Sequence, residues 1–300
     1  MKVAIAGGTG FIGSALTNAL LERGDEVWVI TRSPRKITGG ETREKLHGVT
    51  WGECAAQPGK LQGVEAVVNL AGETINQRWT AGAKKRIVDS RLFAAREIAR
   101  LAERLEPRPH TVINSSGVSI YGTSETETFD EDSPAVESDF LSRVAVRWEE
   151  AAGAIPAGRV IRLRTGVVLG RGGAFPLMAL PYRLFAGGRI GSGRQWMSWI
   201  HIEDMVRLIL HCLDTPGIAG PVNATSPEPV TNDRFGRALA KAMGRPHWLP
   251  VPAAAMKALL GEMSTLLLDG QRVIPRKALE TGFRFRFPDI QSAVHNLVGR

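Results

Sequence analysis

The amino-acid sequence predicts an α/β protein, a doubly wound parallel sheet with a small, loop-rich carboxyl-terminal lobe on one side. Three observations predict it. Short apolar runs alternate with longer stretches of helical period, the pattern of a parallel sheet covered on both faces. The first run enters a glycine-rich turn, GGTGFIG, and then a helical stretch. After about Thr165 the character changes, with Gly-rich turns at 170–173, 187–193 and 217–220 and Pro-rich passages at 226–229 and 246–252.

Taken in order, the apolar runs place strands at 3–6 (VAIA), 26–31 (EVWVIT), 65–70 (EAVVNL), 110–115 (HTVINS) and 159–163 (RVIRL), with a weaker one at 48–51 (GVTW). Helices are expected at 11–23, 81–105 and 138–153, and in the tail at 231–243 and 253–268. Phe283, Phe285 and Phe287 alternate with Arg284 and Arg286, which reads as a short half-buried strand or extended segment. No internal repeat or low-complexity tract interrupts this order.

Three hundred residues, 43% of them apolar, are enough to bury a sizeable core. The net charge of +8 raises the question of an acidic partner, yet the basic residues are spread along the chain, and Lys84 with Lys85 reads as a solvated helix face. No basic run is interleaved with aromatics as a stacking platform for bases would be, so no nucleic-acid partner is expected. Cys54 and Cys212 stand far apart and outside any CxxC pair, which argues against a disulfide framework and a zinc site; no metal is expected. Met1 leads into a strand pattern within two residues, so no signal or transit peptide is expected, although a processed precursor would read the same. No apolar stretch approaches the roughly 20 residues of a membrane span. The expectation is a cytoplasmic protein with no membrane partner.

In GGTGFIG, Gly7, Gly10 and Gly13 follow a GxxGxxG spacing, and Gly8, Gly10 and Gly13 satisfy GxGxxG. A turn between strand and helix at this point must be tight, must let backbone approach a pyrophosphate, and must pack helix on strand closely. The open N–H groups of the following helix then face phosphate. This is the context of a Rossmann-type dinucleotide site, and Gly7, Gly8, Thr9, Gly10, Phe11, Ile12 and Gly13 are its expected cofactor-binding residues. At the end of the second strand, where an Asp or Glu would hold the ribose of NAD, stand Thr31, Arg32 and Ser33, with Arg35 beyond. A guanidinium and hydroxyls suit the additional 2′-phosphate of NADP(H). A surface arginine in a turn before Pro34 is the plainer reading of the same residues. The dinucleotide-binding unit is then 1–165, with sheet contributions from about 195–225, and 166–300 is the substrate-side lobe and tail.

The chain resembles the extended short-chain dehydrogenase/reductase superfamily, in GGTGFIG at 7–13, VVNLAG at 67–72, SSGVSIYG at 115–122, LRTGVVLG at 163–170 and WIHIEDM at 199–205. NLAGETINQRW at 69–79, SR at 90–91, EDSP at 131–134, WEEAA at 148–152, VLGRGGAF at 168–175, IGSGRQWMSWIH at 190–201 and the tail LLLDGQRVIPRKALETGFRF at 266–285 look like its atypical epimerase-family branch, which carries a short carboxyl-terminal domain of its own. The resemblance implies that Leu70, Ala71 and Gly72 lie along the adenosine half of the cofactor and that Val168 runs beside the nicotinamide. It makes Arg91 either cofactor-facing or a solvated helical arginine, and His201 more readily a structural residue at the pocket edge than a base. It also implies that the superfamily often pairs through helices on one face of the sheet, so a homodimer is one expected assembly.

The superfamily works with a Ser or Thr, a Tyr, and a Lys four residues beyond it. Here the YxxxK position falls on Phe140 and Val144, and the hydroxyl position on Gly117, with Ser115 and Ser116 before it. Four residues past Tyr121 stands Glu125. All three catalytic positions read as vacant, and Ser116, Tyr121 and His201 remain as candidates, each more readily structural. Two functions stay open. One is an NADP(H)-binding oxidoreductase of unknown small-molecule substrate that finds its proton elsewhere. The other is a non-catalytic NADP(H)-binding regulator or scaffold. For the first, Trp196 and Trp199 are read as able to stack on a ligand, with a core role equally open.

Overall fold

A computed structural model describes residues 1–34, 37 and 44–299. The first half runs β1 (Lys2–Ala6), α1 (Phe11–Arg23), β2 (Glu26–Ile30), β3 (Leu46–Val49), α2 (Trp51–Ala56), β4 (Ala66–Asn69), α3 (Ala81–Glu103) and β5 (Thr111–Gly117). A 3₁₀ turn at Val118–Tyr121 leads to β6 (Thr128–Phe129), α4 (Phe140–Gly153), β7 (Arg159–Thr165), β8 (Val167–Leu169) and α5 (Phe175–Arg183). There follow β9 (Trp196–Met197), β10 (Trp199–His201), α6 (Ile202–Asp214), β11 (Gly220–Ala224), β12 (Val230–Thr231) and α7 (Asn232–Met243). The tail holds α8 (Ala253–Leu260), α9 (Thr265–Leu268), β13 (Arg272–Val273), α10 (Arg276–Glu280) and α11 (Ile290–Val298).

Seven parallel strands form the main sheet in the order β11-β7-β5-β4-β1-β2-β3. The order reverses between β1 and β4, and a doubly wound sheet opens a crevice at such a point. Successive residues of each strand supply two cores. Val3, Ile5, Val68 and Ile113 pack towards α1 and α6, while Ala4, Ala6, Val67 and Val112 pack towards α3 and α4. Coverage on both faces is why the strands read as unbroken apolar runs. A third core, around Trp199, joins β8, α5, α7 and α11 into the second lobe.

Local chemistry sets most boundaries. Gly24, in the left-handed region at φ 91°, ends α1 by donating to the carbonyls of Leu20 and Leu21. The strand expected at 48–51 lies instead at Leu46–Val49, because Thr50 and Glu53 form a reciprocal capping box and start α2 at Trp51. The helix expected over 253–268 is broken at Gly261, φ 59°, into α8, a 3₁₀ turn and α9. The Phe283–Phe287 segment is irregular, with a bend at Arg286; Phe283 and Phe287 are buried and Arg284 and Arg286 exposed, and it joins no sheet among the described residues. The buried Asp204 carboxylate accepts the N–H groups of Arg286 and Phe287, both at 2.8 Å, where a neighbouring strand would otherwise have taken them.

Arg159 locks α6 to the sheet. Its five N–H donors meet Thr111 Oγ1 and the carbonyls of Cys212, Leu213, Thr215 and Ile218, at 2.6–2.9 Å. These are the orphan carbonyls at and beyond a helix carboxyl terminus, and only the guanidinium fork reaches them together. Arg159→Lys, with three donors and no fork, is expected to cost about 2–4 kcal/mol, read as a lower urea midpoint at unchanged m-value. An unchanged midpoint would remove the clamp from this account.

Candidate functional site

The β1–α1 turn packs backbone on backbone. A β-carbon on Gly7, at φ 80°, would lie 2.8 Å from the Leu70 carbonyl oxygen, and one on Gly13 would lie 2.2 Å from that of Gly7. Both positions therefore exclude every side chain. Gly10 caps α1 with no side-chain bond, and no acid stands in the first turn. The leading N–H groups of Phe11 and Ile12 are thus left for an anion. The cradle fits a dinucleotide pyrophosphate.

Opposite it, the chain at Leu70–Gly72 is pinned by a buried pair that sequence reasoning missed. Asn69 Nδ2 donates to Asn114 Oδ1 at 2.6 Å, and Asn69 Oδ1 accepts the Ala71 N–H at 3.2 Å. The signal was present, an Asn ending each of two apolar runs, VVN and VIN. Gly72 leaves room for Arg91, whose Cζ would be 3.2 Å from a β-carbon there. Arg91 is not a solvated arginine. Its Nη1 donates to the carbonyls of Glu73 and Ile87, its guanidinium lies 5.0 Å from the Trp148 ring centroid, and burial lowers its pKa to about 10.

Arg32 is exposed just beyond β2, and the Thr31 hydroxyl accepts the Ser33 N–H. Arg35 lies outside the described residues. Val168 is half-buried in β8, opposite Ile200 of β10. The loop after it wraps Phe11: β-carbons on Gly170, Gly172 and Gly173 would meet that ring at 2.5, 2.9 and 2.9 Å. The second lobe is thereby seated on the amino end of α1, beside the pyrophosphate cradle.

At the end of β5, Ser115 is half-buried, and the Ser116 hydroxyl is buried without a partner among the described residues. Tyr121 is 2% exposed. Its hydroxyl donates to Asn223 Oδ1 at 2.8 Å and accepts from Arg164 Nη1 at 2.9 Å, while Arg164 grips Glu149 with two further bonds. Burial pushes the phenol up to about 12, against the direction a proton-transferring tyrosine needs. His201 caps α6 by accepting the Glu203 N–H, lies 3.9 Å from the Phe287 ring, and is lowered in pKa by burial. No hydrogen bond joins any two of Ser116, Tyr121 and His201 among the described residues.

Phe140 packs edge-on to Trp79 at 5.2 Å in an apolar cluster with Ile75, Val144 and Met263. One ammonium does stand over it: Lys84 Nζ, 5.2 Å from the ring centroid and paired with Glu262. Lys84 therefore departs from the expected solvated face, whereas Lys85 keeps to it. The reading of two tryptophans as stacking platforms is corrected. Trp199 is fully buried and donates to the Glu228 carbonyl; Trp196 is half-buried, donates to the Glu125 carbonyl and is covered by Arg272 at 5.0 Å.

The NAD dependent epimerase/dehydratase family matches residues 3–223, and a domain of unknown function matches 251–297. The chain belongs to this epimerase/dehydratase family. Within it, the chain is 44% identical over 302 residues to the epimerase family protein YfhF of Bacillus subtilis, covering 99% of this chain and 98% of that one. Against the human epimerase family protein SDR39U1 the identity is 39% over 305 residues, covering 99% and 100%. The crystal structure of that human protein (isoform 2) with NADPH superposes with a TM-score of 0.91 over 99% of both chains. The family fold extends to MoeE5 in complex with UDP-glucose and NAD, at 17% identity and a TM-score of 0.79 over 99% of this chain and 97% of that one.

Tyr121 and Tyr182 are the two tyrosines of the sequence, and burial raises both to about 12. The native protein is expected to show little tyrosinate absorbance at pH values just above about 10, where exposed tyrosines ionise. A raised folded pKa means that this contribution to stability is complete below the unfolded value and is lost as pH rises through the folded one. Tyrosinate absorbance appearing near pH 10 in protein that remains folded would contradict the burial of these hydroxyls.

Proposed function

We propose that the protein is an NADP(H)-dependent oxidoreductase acting on a small molecule, with no Tyr/Lys pair for proton transfer. The observation that carries it is a β1–α1 turn shaped for a dinucleotide in a chain whose expected catalytic pair is replaced by an apolar cluster. Gly7 and Gly13 tolerate no β-carbon, whereas Phe140 and Val144 are packed against Trp79. The NADPH held by a relative of the same fold supports NADP(H) over NAD(H), as does exposed Arg32, at the strand end where a carboxylate would select NAD(H). Bound NADPH supplies the hydride. The chain orients the cofactor through the turn and Arg32 and holds the Leu70–Gly72 wall through Asn69 and Asn114. The acceptor takes its proton from solvent. Free, buried Cys54 and Cys212 support a reducing compartment such as the cytoplasm.

A second reading, an NADP(H)-binding regulator or scaffold, is favoured by the same vacancy at Phe140 and Val144. Mixing the protein with NADPH and a panel of carbonyl and nitro compounds separates the two. Oxidation of NADPH with at least one acceptor is expected, and tight binding with no turnover across the panel supports the regulator instead. Arg32→Ala is expected to weaken NADPH binding by about 1.5–3 kcal/mol and to leave NADH nearly unchanged. Equal losses for the two cofactors would overturn the NADP(H) assignment.

A further inference from the structure

The large apolar side chains left in solvent are concentrated on the second lobe. Leu177, Leu180 and Leu184 recur at three- and four-residue spacing along α5 and its end, so they share one face. Phe185 follows them. Trp248 lies beside it, with Nε1 donating to the Phe185 carbonyl at 2.9 Å, and the N–H groups of Trp248 and Leu249 both donate to the Gly187 carbonyl. These six residues are 40–68% exposed, which makes one connected apolar face. Phe185 has φ 60°, the left-handed region in which a side chain is strained and glycine is the usual residue after a helix. The strain is kept at a position whose ring is 55% exposed.

The charge around this face is one-sided. Residues 171–202 hold four arginines and no Asp or Glu; residues 234–261 hold three arginines, two lysines and no Asp or Glu. Together they carry more formal charge than the net +8 of the chain. Basic residues are indeed spread along the sequence, but the acids that balance them elsewhere are missing here. Arg194, Arg234 and Arg237 find acids from other segments. Among the described residues, exposed Arg183, Arg189, Lys241 and Arg245 have no carboxylate in ion-pair reach, and Arg245 lies 4.3 Å over the Phe185 ring.

We propose that this face docks the protein on an anionic lipid bilayer, with the leucines, Phe185 and Trp248 entering the boundary between headgroups and acyl chains and the unpaired cations meeting lipid phosphates. Apolar burial and a basic rim are the two contributions that hold a protein at such a surface. Four of the six apolar residues are leucines, which offer no stacking face to a base, so nucleic acid fits less well. A second copy would set the same unpaired cations against one another. Among the described residues no helix is long and apolar enough to cross a membrane, so the contact is with the surface. The expectation of no membrane partner rested on the absence of spans, which a surface contact does not need.

Co-sedimentation tests it, with the full chain and vesicles of phosphatidylcholine alone or mixed with phosphatidylglycerol. Binding is expected only to the anionic vesicles and should weaken several-fold between low and high salt, as screening requires. Phe185→Gly removes the ring while relieving the backbone strain, so loss of folding does not confound it, and it should reduce binding about tenfold. Leu184→Ser should act alike, while Leu279→Ser, an exposed leucine on α10, should leave binding unchanged. Equal binding to neutral vesicles, no sedimentation with either, or a Phe185→Gly protein that binds as wild type would overturn the proposal. So would tighter binding to a single-stranded oligonucleotide, or self-association abolished by Phe185→Gly without vesicle binding.

Discussion

The structure depends on the contact between the β1–α1 turn and the end of β4, where no β-carbon can be accommodated. Gly7 against Leu70 and Gly13 against Gly7 set how closely α1 approaches the sheet, and hence where its open N–H groups point. The same contact places Phe11 where Gly170, Gly172 and Gly173 can close around it. One steric requirement thus positions the cofactor cradle and seats the second lobe beside it. The Asn69–Asn114 pair completes the arrangement by holding the facing wall with hydrogen bonds rather than packing.

Tyr121, a candidate for chemistry in the sequence, is occupied in holding the chain together. Tyr121, Arg164, Glu149 and Asn223 form a buried network joining the 3₁₀ turn after β5 to α4, β7 and β11, in which the phenol is both donor and acceptor. Asn223 continues it to the tail, donating from its side chain to the Ile274 carbonyl and from its backbone to Glu131, in the EDSP stretch. Burial raises the pKa of Glu131, as expected of a carboxyl sealed beneath the tail. The carboxyl-terminal tail is therefore wired into the sheet through Asn223, which also holds the hydroxyl of Tyr121.

The carboxyl-terminal lobe divides its surfaces. Inward, Trp199, Tyr182 and Phe235 share one core, and Tyr182 extends it through a polar chain: its hydroxyl meets His247 Nδ1 at 3.0 Å, and His247 Nε2 meets Asp233 at 3.0 Å. Outward, α5 and the 248–249 segment keep an apolar, cationic face. Tyr182 and Leu184 are two residues apart, so the packing that buries the first carries the second into solvent.

The sequence by itself determined six of the seven strands of the sheet and the glycine turn, because each follows from residue type at fixed spacing: strand and helix periods and the missing β-carbon; β11 was not read from it, and the vacancy at Phe140 and Val144 is what the resemblance implies. It placed α1 at its observed bounds, since Gly10 and Gly24 mark its ends locally. What only the tertiary structure decided was the use made of polar and aromatic side chains whose partners lie far along the chain. Tyr121 meets Arg164, Asp204 meets Phe287, Arg159 meets Ile218, and Arg91 lies on Trp148. A hydroxyl, a carboxylate or a guanidinium reads identically whether it faces a substrate or a distant backbone. Burial decides between them, and burial is a property of the folded chain.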